Sequence, residues 1–134
     1  RHMGQTRPLA YDGTTEFDAP VLVSLDPERP TVRLTARRAR TDAEGRMTEL
    51  IDDVVLLREA SPGEPRLTVE TDFAIVDSVT EVARTRHPVV IRRGGSTLTG
   101  VGMEFDNAAR QLRVESEVRG EWHPQPATET PSRP

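Results

Sequence analysis

The 134-residue sequence predicts a single all-β domain, and three observations carry that prediction. Apolar and polar residues alternate along several runs, as in half-buried strands. Clusters of Pro, Gly, Asp and Asn separate these runs at short intervals. The one segment with helical potential, 77–86, is rich in Val, Thr and Arg and is better explained as a loop or hairpin. Seven or eight short strands with such spacing indicate a sandwich or a barrel-like fold.

The first three runs each have a turn signal after them. Ala19–Leu25 is apolar and ends at a turn with two prolines. Thr31–Ala39 alternates between aliphatic and polar side chains, so it predicts one half-buried strand. Leu50–Arg58 has four consecutive aliphatic residues at its centre. Both faces of that strand are apolar, so the sequence leaves open which face is turned inward.

The later runs follow the same scheme. Leu67–Ile75 alternates, with Leu67, Val69, Phe73 and Ile75 predicted to share one face. Val89–Ile91 is short and ends at a Gly-Gly turn. Ser96–Asp106 is interrupted by Gly100 and Gly102, which more often mark a bulge or a tight bend than a phosphate loop. The final run, Leu112–Val118, alternates again.

The two ends of the chain lack this patterning. Residues 1–15 predict a flexible lead that begins with a cloning remnant, and residues 123–134 predict a disordered Pro-rich tail. The ordered domain is therefore expected over 16–122. No apolar run approaches the ~20 residues of a membrane helix, and no signal peptide is visible.

Composition excludes several classes of function. The net charge of −4 is mild and the charges are interspersed, which argues against nucleic-acid binding. The five aromatic residues are too scattered for a stacking platform. The absence of cysteine excludes disulfides, thiolate metal sites and cysteine nucleophiles. We expect no metal and no cofactor.

Candidate catalytic groups do not form a site. His87 and His123 lack metal-ligand spacing, and each is expected to be solvated. The adjacent Asp52 and Asp53 would point to opposite faces of a strand, so they cannot act on one bond. Glu70 and Asp72 share a face, but it is the predicted solvent face. The sequence therefore predicts a protein that is not an enzyme.

Two basic pairs, Arg37-Arg38 and Arg92-Arg93, allow two interpretations. They are either ordinary solvated positions or contacts to the phosphate of an anionic lipid. The inward-facing aliphatic residues also allow two interpretations. They fill a closed sandwich core, which the pattern alone favours, or they line an apolar slot between splayed sheets.

The order of these signals resembles the periplasmic domain of the LptC family, the inner-membrane proteins of lipopolysaccharide export. The resemblance covers about residues 17–122, and its most specific motif is Leu98-Thr99-Gly100-Val101-Gly102-Met103-Glu104-Phe105-Asp106. The other matching stretches are Phe17–Leu22, Thr31–Ala39, Asp53–Arg58, Leu67–Thr71, His87–Ile91, Leu112–Val114 and Val118–Gly120.

The resemblance implies an open, twisted β-jellyroll of short antiparallel strands whose apolar groove holds acyl chains of lipopolysaccharide. It thereby favours the slot over the closed core. The implied groove residues are Val32, Leu34, Ala36, Val54, Leu56, Leu67, Val69, Phe73, Ile75, Val89, Ile91, Leu98, Met103, Phe105, Leu112 and Val114. Gly100 and Gly102 are implied to be structural.

The resemblance also implies partners and a location. An LptA-like bridge protein would dock at the C-terminal edge, represented by Val114, Ser116, Val118 and Gly120, and ABC transporter subunits would dock at the N-terminal edge. The family has a further strand before 17–22, and Gly4–Asp12 departs from that pattern because it is short and irregular. An incomplete N-terminal edge would favour self-association.

The implied location is the periplasm, with an N-terminal inner-membrane anchor that this chain lacks. Two alternatives remain at this stage. One is a soluble bridge protein of the same pathway, and the other is a structural β-sandwich with a filled core.

Overall fold

The structure, a computed structural model, describes residues 6–8, 14–24 and 28–121. These residues form ten β-strands and no helix, which confirms the predicted all-β class. The strands are β1 (Thr6–Pro8), β2 (Thr15–Asp18), β3 (Val21–Ser24), β4 (Val32–Thr35), β5 (Arg38–Thr41), β6 (Met47–Arg58), β7 (Leu67–Asp77), β8 (Val82–Arg93), β9 (Ser96–Asp106) and β10 (Gln111–Glu121).

All ten strands belong to one antiparallel sheet. Its main order is β1-β2-β5-β6-β7-β8-β9-β10, and β3 joins through β4. The 12-residue β6 pairs with β5 along its first half and with β4 along its second half. The segment 77–86 forms the predicted hairpin, which connects β7 to β8.

A line of irregular positions, which we call the seam, crosses the sheet from β6 to β10. The register between β6 and β7 shifts between Ile51 and Val54, where Asp52 and Asp53 have φ of 66° and 52°. The shift continues between Thr85 and Pro88 of β8, opposite Gly102 with φ of 85°. It ends between Ser116 and Arg119 of β10. Bulges bend strands and increase their twist, so every long strand bends at the seam.

The residues at the seam suit these positions. Asp tolerates positive φ better than most residues, and glycine adopts it without a steric cost. Pro88 has no N–H to donate to a ladder, and bulges are where sheets accept proline. Gly100 is required for another reason: a Cβ there would collide with the side chain of Val114 on β10.

The seam divides the sheet into two halves that face each other. The turn half ends at residues 42–46, 78–81 and 107–110, and the loop half ends at residues 28–31, 59–66 and 94–95. Leu112 of the turn half lines the same cavity as Leu67 and Leu98 of the loop half. The apolar core therefore lies between the halves of one folded sheet. Its fully buried members are Leu50, Leu67, Val69, Val89 and Met103.

The seam also reverses which residues of a strand face the core. Along β7 the buried residues are Leu67, Val69 and Thr71 before the seam, but Ala74 and Val76 after it. The prediction that Phe73 and Ile75 share a face with Leu67 is therefore wrong. Both are half-buried on the opposite, outer face.

Three further expectations need correction. The predicted strand Thr31–Ala39 is interrupted after Thr35, and its residues form β4 and part of β5. The lead contains β1, which pairs with β2, so a strand does precede 17–22. Strands β6 to β10 have 11 or 12 residues and are not short. The cloning remnant at 1–3, Trp122 and the tail at 123–134 lie outside the described residues.

Candidate functional site

An uninterrupted row of apolar positions crosses the inner face of the loop half. Each member is the direct cross-strand partner of the next, so neighbouring side chains are in contact distance. Bulky aliphatic side chains occupy five of its positions, and a glycine ends it at β10. The row is Leu34, Leu56, Val69, Ile91, Leu98 and Gly120.

Two apolar cavities open beside this row, one toward each side of the fold. The β10 cavity has a volume of about 210 Å³ and is lined by Leu67, Ile91, Leu98 and Leu112, among others. The β3 cavity has a volume of about 130 Å³, and its lining includes Leu22, Leu34 and Phe105. A cavity of about 150 Å³ holds a molecule the size of benzene, so each cavity accepts a few methylene groups.

Packed side chains fill the space between the two cavities. Val54, Val69, Val89 and Met103 are only 1–2% exposed. A whole acyl chain therefore needs the two halves to move apart, or it must lie along the β10 cavity with only its end between the halves.

The implied groove residues fall into five groups. Val32, Leu34 and Phe105 line the β3 cavity, and Leu67, Ile91, Leu98 and Leu112 line the β10 cavity. Val54, Leu56, Val69, Val89 and Met103 are buried between the halves, so Val54 and Leu56 are the inward residues of the run 54–57. Ala36 and Val114 are partly buried against the core. Phe73 and Ile75 lie on the outer face, where the Phe73 ring lies 5.5 Å from that of His87.

A second row on the inner face is cationic. It runs parallel to the apolar row, two residues further along each strand toward the loops at 59–66 and 94–95. Arg58, Leu67 and Arg93 are direct partners on three consecutive strands, followed by Ser96. Arg58 is 8% exposed, and its Nε has no hydrogen-bond partner among the described residues. Burial lowers the pKa of Arg58, the nearby Glu64 opposes that shift, and Arg93 and Arg110 add to it.

Polar contacts join the two halves on the side opposite the seam, which we call the mouth. The Arg110 guanidinium donates to Glu64 Oε1 at 2.8 Å, and this hydrogen bond lowers the pKa of Glu64. The buried Asn107 donates from Nδ2 to Ser24 Oγ of the loop half at 3.3 Å and, within the turn half, to Glu81 Oε1 at 2.9 Å. Arg29 donates to the backbone oxygen of Asn107 at 2.9 Å and forms an ion pair with Glu81 at 3.4 Å.

The implied partner edge lies on β10, the last strand of the sheet among the described residues. Val118 is 51% exposed there, and Ser116 is also exposed. Val114 differs from them because it is partly buried against the core, and Gly120, although exposed, has no room for a side chain. Val114 packs over Gly100, and a Cβ at Gly120 would lie 2.5 Å from the backbone oxygen of Thr97.

Three of the four carboxylates set aside by the sequence, Asp52, Asp53 and Glu70, are engaged in surface ion pairs. Glu70 pairs with Arg92 at 2.9 Å, and Asp53 pairs with Arg37 at 2.6 Å. Asp52 and Asp53 are both exposed, because the bulge overrides the expected alternation of their side chains. Across the described segments, no three His, Asp or Glu side chains lie close enough to hold a metal ion. Nor do these segments contain a helix able to cross a membrane.

A family profile described as "Lipopolysaccharide-assembly, LptC-related" matches residues 7–123, nearly the whole chain. The chain belongs to this LptC-related family. Membership makes it a periplasmic module of lipopolysaccharide transport. No curated protein matches the sequence.

The fold of the LptC-related chain is also found in a solved structure. That structure is LptH from Pseudomonas aeruginosa, described as the LptA homologous periplasmic component of the lipopolysaccharide transport device. The TM-score is 0.67 over 90% of this chain and 91% of that chain, at 9% sequence identity. At such low identity, the structural similarity shows a shared fold and nothing more. It confirms the predicted β-jellyroll.

One feature of this site was not found from the sequence. Arg58 ends the aliphatic run of β6, where a cation is expected to reach solvent. The spacing was the available signal. Arg58 follows the inward Val54 and Leu56 by four and two residues, and residues at such intervals along a strand share a face.

Proposed function

We propose that this chain binds the acyl chains of lipopolysaccharide between the two halves of its folded sheet and passes the lipid on without a covalent step. The observation that carries the proposal is the apolar row from Leu34 to Leu98, which is continuous across five strands and borders the β10 cavity. An acyl chain needs such an unbroken apolar wall, because each buried CH₂ contributes about 0.8 kcal/mol.

The β10 cavity is the proposed entrance for the lipid. It is larger than the β3 cavity, and Leu98 and Leu112 in its lining are only partly buried. From there, acyl chains would move inward as the halves separate. The closed, packed arrangement is then the lipid-free state, and the lipid stabilises a more open one.

The same strand offers the exit to a partner. β10 has one free edge among the described strands, and strand addition at a free edge is a common way for β-domains to dock. We propose that an LptA-like bridge protein adds to β10, which would continue the apolar row of this chain into the next domain. ABC transporter subunits would meet the opposite edge, near β1, and an N-terminal anchor would hold the natural protein at the inner membrane.

The experiment compares two neighbouring residues of β10. Leu112 lines the β10 cavity, whereas Arg113 points outward and pairs with Glu104 at 2.9 Å. We expect Leu112→Gln to weaken lipopolysaccharide binding roughly tenfold, which corresponds to about 1.4 kcal/mol. Arg113→Gln should leave binding unchanged, because an exposed ion pair contributes little. Binding is measured by fluorescence titration of the purified chain.

Equal affinities of both variants and the wild type would contradict the proposal. The tight packing around Val54 and Met103 would then indicate a filled core, and the domain would act as a scaffold.

A further inference from the structure

Arg58 occupies a position at which an unpaired charge is costly. It is 8% exposed on the inner face, between its cross-strand partners Val32 and Leu67. Its Nε has no hydrogen-bond partner among the described residues. Buried cations are normally paired, and leaving one donor unsatisfied destabilises the fold. An unsatisfied buried donor calls for an explanation, and a ligand that supplies the missing acceptor is one.

A second guanidinium belongs to the same row. Arg93 is the cross-strand partner of Leu67 on the other side, so the two arginines flank one leucine on the inner face. Arg93 also lines the β10 cavity. It therefore connects the buried Arg58 to the cavity that we propose as the lipid entrance.

The charges around these arginines do not balance. Arg58, Arg93 and Arg110 are close enough to interact electrostatically, and Glu64 is the carboxylate among them. Glu64 already accepts a hydrogen bond from Arg110 at 2.8 Å. Two guanidinium groups, those of Arg58 and Arg93, are thus left without a carboxylate of their own in this cluster.

We propose that Arg58 and Arg93 bind a phosphate group of an amphiphilic ligand whose acyl chains lie in the adjoining β10 cavity. This inference rests on the function proposed above, and it assigns the polar part of the ligand. Guanidinium groups donate paired hydrogen bonds that match the geometry of phosphate oxygens. The neighbouring apolar row explains why the ligand is a phosphorylated lipid and not free phosphate, because a free anion would leave that surface unused.

The adjacent residue provides a matched control. Arg92 differs from Arg93 by one position along β8, so it lies on the outer face, where it pairs with Glu70 at 2.9 Å. Any effect of charge on the whole molecule is the same for Arg92→Met and Arg93→Met. Only the second substitution removes a cation from the inner face.

The test measures binding of three probes to the 134-residue chain: lipid A with both phosphates, enzymatically dephosphorylated lipid A, and inorganic phosphate. We expect the wild type to bind the phosphorylated lipid at least tenfold more tightly than the dephosphorylated one, and inorganic phosphate only weakly. Arg93→Met and Arg58→Met should each lose most of this difference, while Arg92→Met should keep it. Arg58→Lys should restore part of it.

Thermal unfolding of each variant tests whether it is folded. Arg58→Met should be as stable as the wild type or more so, since it replaces a buried cation, whose Nε has no hydrogen-bond partner among the described residues, with an apolar side chain. Arg93 is exposed, so Arg93→Met tests the site even if Arg58→Met fails to fold.

The outcomes separate this inference from the function on which it rests. Equal binding of the two lipids by the wild type, or an equal loss in Arg92→Met and Arg93→Met, overturns the phosphate site and leaves acyl-chain binding intact. Tight binding of inorganic phosphate alone overturns the assignment to a lipid. Binding of neither lipid by the wild type overturns the proposed function and the phosphate site together.

Discussion

Several side chains in this protein are explained by their immediate neighbours. Asp77, at the end of β7, accepts hydrogen bonds from the Arg46 side chain and from the backbone of Val79 and Thr80. The hydrogen bond from Arg46 is the main reason that the pKa of Asp77 falls from 3.8 to about 2. The ionised carboxylate thus holds the β7–β8 turn and links it to residue 46 of the turn before β6.

This lowered pKa predicts how stability depends on pH. Because the folded-state pKa lies below the unfolded value, Asp77 stabilises the fold above pH 3.8, and this contribution is lost as the pH falls toward about 2. We expect Asp77→Asn to be less stable than the wild type at pH 6 and to lose less of its stability between pH 4 and pH 2. Urea unfolding at several pH values measures both quantities.

Arg46→Met provides the check, because it removes the main donor and leaves the carboxyl in place. It should flatten the same part of the stability profile. If Asp77→Asn and the wild type show parallel profiles between pH 4 and pH 2, the lowered pKa does not contribute to folding.

At the scale of the strands, the seam determines which residues face the core. Sequence alternation predicted most strands correctly, since it is a local property with a period of two residues. Alternation could not predict the bulges, because they depend on the register between strands that are distant in sequence. For this reason alternation places Phe73 and Ile75 on the wrong face. Only in β9 do glycines, Gly100 and Gly102, indicate an irregular position, and the register shift of β8 lies opposite Gly102. Asp52-Asp53, two acids inside an aliphatic run, was the available signal of a break.

The site was predictable to a similar extent. The inward position of Leu34, Val69 and Ile91 follows from alternation on one side of the seam alone. The placement of Arg58 and Arg93 side by side on the inner face does not follow from alternation, because it depends on the pairing of Leu67 with both residues. The packing that fills the space between the cavities depends on how the halves close, and no local pattern encodes it.

The bulge at the seam gives a prediction for β6. Asp52 has φ of 66°, a conformation that β-branched residues strongly disfavour. We expect Asp52→Val to lower the free energy of unfolding by about 1–2 kcal/mol, and Asp52→Gly to change it by less than about 0.5 kcal/mol. Urea denaturation of both variants measures the difference.

Asp72→Val is the matched control, since Asp72 is exposed on the neighbouring β7 and lacks a positive φ. It should change stability by less than about 0.5 kcal/mol, because exposed substitutions away from strained positions have small effects. Similar losses for Asp52→Val and Asp72→Val would show that the bulge imposes no conformational demand at Asp52.

At the scale of the whole molecule, the folded sheet encloses the proposed lipid-binding surface between its two halves. The seam acts as the fold line, and the contacts of Arg29, Glu64 and Asn107 hold the mouth closed on the opposite side. The apolar row is continuous within the loop half and ends at the free edge of β10. This arrangement suits a domain that passes a lipid to a neighbour, since the apolar surface reaches the edge where a further strand can add.

Site-specific photo-crosslinking to lipopolysaccharide tests the central claim most directly, with the photoreactive residue placed at Leu98 and, separately, at Thr99. Leu98 belongs to the apolar row and lines the β10 cavity, whereas Thr99 is exposed on the outer face. Both positions are on β9 and tolerate a larger side chain better than the fully buried Val69 does. We predict strong lipid adducts at Leu98 and none at Thr99. Equal adducts at both positions, or none at Leu98 in a folded protein, would contradict lipid binding between the halves of the sheet.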